Sequence, residues 1–240
     1  KKDSCSKGLR EKDGTAKRNP LGIPLNGCPL CEKISEMHYL KYEGRSIGAL
    51  SLIMIDNPMC PGTGHRICND CMKSCIYQKQ EPVNIPQIET RVLTEVLNLP
   101  WGFEIYTLLT RWNPVNVLRP YGLPYNGKNV MVVGMGPAGY TLSQFLLNEG
   151  YGVVGIDGLK IEHVHRDVTG GIDENGDYVY PKPVYDFNTL KEDLDKRIFL
   201  GFGGVSEYGI TVRWDKNFLK VVYLTLARRK HFKVYDGIRF

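Results

Sequence analysis

Asn129–Asp157 reads NVMVVGMGPAGYTLSQFLLNEGYGVVGID, an order of strand, glycine turn, helix, strand and acid. Val130–Val133 is a short apolar run, the pattern of a strand buried on both faces. Gly134, Gly136 and Gly139 follow as G-x-G-x-x-G. Thr141–Leu147 carries apolar residues at helical spacing, and Gly150 is placed to end that helix. A second apolar run, Val153–Ile156, stops at Asp157. Each part has a physical task. Gly134 allows the tight turn, Gly136 lets backbone approach a pyrophosphate, and Gly139 lets helix pack close to strand. The helix N-terminus, opening at Pro137 and Ala138, offers N–H donors and the positive end of its dipole. Asp157, about twenty residues past the glycines, can accept hydrogen bonds from a ribose 2′-hydroxyl. The reading is dinucleotide binding; the competing one is a glycine turn in an α/β core with no ligand.

Outward from this unit, 240 residues allow one large domain or two small ones, and a net charge of +5 is mild. Basic residues are scattered, with no basic stripe interleaved with aromatics, so nucleic acid is not expected as a partner. No apolar run reaches the length of a transmembrane helix. The chain starts at Lys-Lys-Asp-Ser-Cys without Met or a signal-type apolar region.

All seven cysteines, Cys5, Cys28, Cys31, Cys60, Cys68, Cys71 and Cys75, lie in the first third. A disulfide scaffold would not cluster this way beside a nucleotide fold, so the pattern points to metal ligation in a reducing compartment, cytoplasm or mitochondrial matrix. Cys60-x7-Cys68-x2-Cys71-x3-Cys75 places four soft thiolates in one loop, as iron–sulfur clusters require. The competing metal is zinc, held by the pairs Cys28-x2-Cys31 and Cys68-x2-Cys71. That gap is longer than a usual zinc ribbon and leaves Cys60 and Cys75 over.

The remaining elements are coarse. Residues 1–26 read as a polar loop extension. Leu30–Leu40, Ile47–Ile55 and Asn84–Leu97 read as helices, the last with Pro86 in its first turn. Trp101–Tyr125 reads as a packed connector, with Trp101, Trp112 and Trp214 expected in the core. Gly158–Phe187 is too long for an ordinary strand–helix connection and reads as an insertion. Leu190–Phe199 and Asp215–Arg229 read as helices, and Phe232–Tyr235 as a strand. His38, His65, His163 and His165 read as loop or surface histidines rather than ligands. Arg213 and Lys216 face either a flavin phosphate or solvent. No Ser-His-Asp order, HExxH or P-loop is present, and no catalytic residue is assigned.

DNPMC at 56–60, CNDCMKSC at 68–75, EPVNIPQIE at 81–89 and NVMVVGMGPAGYTL from 129 resemble, in that order, the glutamate synthase small subunit family. Dihydropyrimidine dehydrogenase and NADH-dependent ferredoxin–NADP reductases share that architecture. The resemblance covers roughly residues 27–157 and 203–216. It implies an α/β chain (α+β overall): a helical iron–sulfur domain at 27–125, then the first part of a Rossmann-type FAD domain at 126–240, with an insertion at about 158–200. It implies FAD and one or two [4Fe-4S] clusters. Cys28, Cys60, Cys68, Cys71 and Cys75 fall at or near the family's ligand positions. Glu89 matches its non-cysteine ligand; the alternative is a solvated helix carboxylate. Gly134, Gly136, Gly139 and Asp157 match the flavin fingerprint, and Gly203, Gly204, Tyr208, Gly209 and Ile210 resemble the family's GGxxxYGIP beside the flavin.

Two departures stand out. The family's C-x2-C-x4-C run before the GCP is missing, with only the more distant Cys5 there, and Cys31 is not at a ligand position. With Cys5, Cys31 and Glu89 counted, two clusters have just enough ligands; without Cys31, only one is complete. The returning strands of the flavin fold and the NADPH domain lie outside these residues. The sheet edge and the helix face around Leu219–Leu226 are therefore expected to lie bare until a further polypeptide segment or partner subunit covers them. The expected function is electron transfer between NAD(P)H, FAD and iron–sulfur centres, with the chain inactive alone. The other class is a non-catalytic accessory subunit of a larger, possibly respiratory, complex that keeps the fold without hydride chemistry.

Overall fold

The computed structural model describes residues 3–63, 68–158, 164–196 and 217–238. Helices dominate the first half: α1 Ser4–Lys7, α2 Ile34–Tyr42, α3 Ser46–Asp56, α4 Cys60–Thr63, α5 Asp70–Lys73, α6 Ile85–Leu97 and α7 Gly102–Leu109. Then come β1 Asn129–Val133, α8 Pro137–Asn148 and β2 Gly152–Ile156, the strand–helix–strand unit. After it lie α9 Arg166–Thr169, β3 Gly171–Ile172, β4 Tyr178–Val179, α10 Phe187–Asp195, α11 Asn217–Ala227 and β5 Phe232–Tyr235. The class is α/β, as expected.

The helical half assembles by successive pairing of α2 with α3, α3 with α6 and α6 with α7. Helix α6 has the clearest local logic. Asn84 caps it, accepting from the Gln87 N–H at 3.2 Å, and Pro86 sits in the first turn, where no donor is lost. Its buried stripe, Ile85, Val92, Leu93, Val96 and Leu97, recurs at helical spacing. The second helix starts at Ile34 rather than Leu30, because Cys31 is left-handed (φ +53) and a non-glycine residue there breaks the turn. Gly102–Leu109, read as connector, is a helix that buries Phe103, Tyr106 and Leu109.

β1, β2 and β5 form a parallel three-stranded sheet with β2 central. Val153 at its centre is almost fully buried. β1 differs from expectation: Met131 and Val133, alternate residues on one face of the sheet, are 62% and 61% exposed, and the strand pairs with β2 alone among the described residues. The apolar run marked a strand meant for contact on both sides, and one of those sides is open here. The opposite correction applies to the last helix. Val221, Val222, Tyr223, Leu224 and Leu226 are buried, not bare, because α11 packs against α4, α8, α9, α10 and β5. It is the apolar peg between the helical half and the sheet. Trp101 and Trp112 are nearly half exposed rather than core, Trp101 meeting Tyr185 edge-on at 5.0 Å. Trp214, Asp215, Leu219's side chain and the end of the predicted 190–199 helix lie outside the described residues.

The segment after β2 is tied down by one arginine. The Arg228 guanidinium, 4% exposed, donates to both Glu104 carboxylate oxygens (2.8 and 2.9 Å), to the Val168 carbonyl (2.7 Å) and to the Lys182 carbonyl (3.2 Å). Glu104 also accepts the Val184 N–H at 2.8 Å, and Arg228 lies over the Phe103 ring. One bidentate pair thus joins α7, α11 and the inserted segment. Arg228→Leu leaves a carboxylate and two carbonyls without their donor. We expect it to cost about 3 kcal/mol, as for breaking a buried pair, read as a lower urea midpoint at unchanged slope. Glu104→Gln, which keeps an acceptor for Val184, should cost less.

Candidate functional site

Two sites are built, one on the glycine turn and one on the thiols. At the turn, Gly134 has φ +93, which disfavours any side chain, and its N–H donates to the Ile156 carbonyl at 2.8 Å. A Cβ on Gly139 would stand 1.9 Å from the Gly134 carbonyl oxygen, so only glycine lets α8 approach this closely. Around Gly136 the finding is the reverse: a Cβ would meet nothing within 4 Å. No described side chain fills that space. Gly136 caps α8 without a side-chain acceptor, leaving the first-turn N–H of Ala138 and Gly139 aimed outward beside Pro137. This is the cradle a pyrophosphate needs.

Asp157 stands at the end of β2, and its Oδ2 accepts the Met135 N–H at 2.5 Å. The carboxylate therefore braces the glycine turn, a role the sequence did not suggest. Met135 is buried against Gly155, whose Cβ would come within 2.6 Å of the Met135 sulfur. Gly203, Gly204, Tyr208, Gly209, Ile210, Arg213 and Lys216 lie outside the described residues, as do His65 and His163.

The thiols divide into groups. Cys71 is nearly buried, and its thiol is pushed up to about 12, first by burial and then by the nearby Glu89, Cys68 and Cys28. Burial also raises Cys28, which is within electrostatic reach of Cys68. Cys28, Cys68 and Glu89 thus all lie within electrostatic reach of Cys71, with Cys68 itself exposed. Cys60 is fully buried and raised well above its ordinary value by burial, then by Glu89 and Glu32. Cys5 and Cys75 make a separate group. Burial and then the Cys75 thiol raise Cys5, and the Cys5 carbonyl accepts the Cys28 N–H at 2.8 Å. Gly27 donates to the Ser74 hydroxyl at 3.0 Å, holding residues 27–28 between α1 and the Cys75 turn. Cys31 is exposed, its N–H closing a turn onto the Cys28 carbonyl at 3.0 Å.

Glu89 is not a solvated helix carboxylate: it is 7% exposed on α6. Burial first, then the adjacent Glu32, raises its pKa well above the ordinary carboxylate range. Glu32 is also raised, by burial and by Asp56, and Asp56 by its own burial. Sequence reasoning missed Glu32 and Asp56; the only available signal was acidity flanking GCP and DNP. His38 is likewise not a surface group. Its Nε2 is buried without a hydrogen-bond partner, and burial lowers its pKa. His165 is exposed and caps α9, its Nδ1 accepting the Asp167 N–H.

Among the described residues no three His, Cys, Asp or Glu side chains stand close enough to hold a single metal ion. A multi-iron cluster takes its ligands from separate irons, so they stand farther apart than round one ion. Buried thiols and carboxylates with raised pKa values form an acceptor set short of positive charge, which an iron–sulfur core would supply.

No family model matches the chain. It is 51% identical over 180 residues to an uncharacterized protein of Rickettsia prowazekii (strain Madrid E), covering 75% of this chain and 24% of that protein. It is 29% identical over 180 residues to the glutamate synthase [NADPH] small chain of Mycobacterium tuberculosis, in strains CDC 1551 / Oshkosh and ATCC 25618 / H37Rv, covering 74% of this chain and 31% of that one. The chain therefore spans about a quarter to a third of the length of the curated relatives it matches. The likeness to the glutamate synthase small chain is distant. No described helix is long and apolar enough to cross a membrane.

The buried carboxylates set a pH dependence. Glu89 is raised in the folded chain, so above about pH 4.5, its ordinary value, the folded state holds a proton that the unfolded state releases. The contribution of Glu89 to the stability of the metal-free protein should be greatest below that pH and be lost as pH rises through the raised value. Glu89→Gln keeps the shape and removes the titration. Its denaturation midpoint should fall less with pH and exceed the parent's at neutral pH.

Proposed function

We propose that this chain is an electron-transfer segment of an FAD-dependent, NAD(P)H-linked oxidoreductase. In this reading one [4Fe-4S] cluster is held by Cys28, Cys68, Cys71 and Glu89, and the FAD pyrophosphate lies on the Gly134–Gly139 turn. The observation that carries it is that Glu89, Cys68 and Cys28 all lie within electrostatic reach of the buried Cys71. These residues come from three separate places in the sequence: Cys28, the Cys68–Cys71 pair and Glu89 of α6. The open space beside Gly136, next to uncapped N–H groups, supports the flavin half. The name of the Mycobacterium tuberculosis relatives supports NADPH as the electron source.

The cluster and the flavin, when bound, supply the electron transfer. The chain's residues do the rest. Cys28, Cys68 and Cys71 must lose protons to ligate, so uptake of iron is favoured by rising pH. Burial of Cys71, beside the buried Cys60, would limit solvent access on that side of the cluster, one of the factors that tune its redox potential. Gly139 brings the α8 dipole up to the phosphates, and Asp157 fixes the turn through Met135. Cys5 and Cys75 are two thiols without a described third and fourth partner at their side, so the reading takes one cluster rather than two.

A further segment or partner subunit belongs to the same proposal. β1 offers an unpaired edge among the described residues, with Met131 and Val133 outward and Leu142 and Phe145 of α8 about half exposed. An apolar strand edge of this kind is suited to strand addition. NAD(P)H and the electron acceptor would be engaged through that added part. If the added part carries no nicotinamide site, the protein is instead an accessory subunit of a larger complex.

Anaerobically reconstituted protein should hold about four irons and matching acid-labile sulfide per chain. Cys71→Ser should lose most of both, and Cys31→Ser should keep them. Gly136→Val should release FAD while retaining iron, since the two sites are built independently. Stoichiometric zinc with no iron would overturn the cluster assignment.

A further inference from the structure

A cavity of about 440 Å³ opens between the β3–β4 hairpin and the corner where α11 leads into β5. It lies apart from the flavin turn: none of residues 134–139, nor Asp157, lines it. Arg166, Arg229, Lys230 and Lys233 line it, and among the described residues no carboxylate does. The nearest acid along β5, Asp236, acts on the Tyr223 hydroxyl but is not in the wall. Asp167, next to Arg166, is engaged by Lys182 at 2.8 Å. Arg229 is largely buried and donates to Asn148 at 3.0 Å, a neutral partner. Burial and then the Arg111 guanidinium push it down to about 10.

The other lining groups are flat and apolar. Tyr178, Tyr223, Phe232 and Tyr235 supply rings, and Val164, Ile172 and Val234 supply aliphatic surface. The wall is fixed rather than loose. The Arg228–Glu104 pair and the Arg228 bonds to Val168 and Lys182 hold the two ends of the hairpin segment to α7 and α11. The cavity size falls within the range of small-molecule sites, roughly 300–1,000 Å³.

We propose that this cavity is a binding site for a nucleoside 5′-monophosphate, the phosphate drawn to Arg166, Arg229 and Lys233 and the base stacked among the tyrosines. Charge alone would accept any small anion; the rings add the demand for a planar aromatic. The inserted hairpin, which interrupts the strand–helix order of the nucleotide unit, thereby gains a role as one wall of a second site. The proposal goes beyond the flavin and cluster reading and stands if that reading fails.

Calorimetric titration of the chain with AMP, with adenosine and with inorganic phosphate tests it. AMP should saturate at one site, binding at least about tenfold more tightly than adenosine or phosphate, and more weakly as salt rises. Arg166→Ala with Lys233→Ala, both exposed, should weaken AMP at least about tenfold, while Arg166→Lys with Lys233→Arg should restore most of it. Gly136→Val should leave AMP binding within about twofold. Absence of saturable AMP binding would overturn the proposal. So would loss on Gly136→Val with none on the double alanine variant, which would place the nucleotide on the glycine turn. Phosphate binding as tightly as AMP would overturn the nucleoside assignment.

Discussion

A carboxylate buried beside thiols and a second carboxylate sets the terms for the helical half. Glu89 sits on the face of α6 that also carries Val92, Leu93 and Val96 into the core, so it cannot turn to water without unpacking that helix. Left as an ion, it would carry a heavy desolvation cost, and Glu32 next to it makes ionisation harder still. Cys60 and Cys71 face the same constraint. The metal-free fold meets it by keeping these groups protonated. A positive centre among them would meet it by compensation, and would turn a costly arrangement into a binding site.

The second constraint is how two unlike halves are held together. The helix α11 does this with apolar surface, and Arg228 at its C-terminal end does it with charge. Gln144 and Asn148 of α8 add hydrogen bonds to the Thr110 carbonyl at 2.6 and 3.0 Å. The thiol region and the glycine turn are thus parts of one packed body. For electron transfer that matters, since two redox groups must keep a fixed separation.

Much of the nucleotide unit was legible because its residues are neighbours in sequence. The glycines, α8, β2 and the strand at Phe232–Tyr235 follow from local periodicity and turn chemistry, with Gly150 at φ +83 ending α8 as its position implied. What was not legible depended on distant partners. Val130–Val133 has the composition of a strand covered on both faces, and nothing local says that the face carrying Met131 and Val133 is open. Leu224 and Leu226 read as a bare helix face because their cover, α4 and α10, comes from segments far apart in the chain. Glu32 and Asp56 look like ordinary surface acids until packing places them around Glu89. Cys31 pairs with Cys28 in spacing but is not at a ligand position of the family it resembles, and its backbone here is left-handed.

The central claim is that one iron–sulfur cluster sits where α5, α6 and the Cys28 turn meet. Anomalous diffraction from crystals of anaerobically purified protein, collected on both sides of the iron absorption edge, tests it most directly. The account predicts a single compact iron peak bordered by Cys28, Cys68, Cys71 and Glu89, and none beside Cys31. Iron density centred on Cys5 and Cys75 instead, or a zinc signal at Cys28 and Cys31, would contradict it.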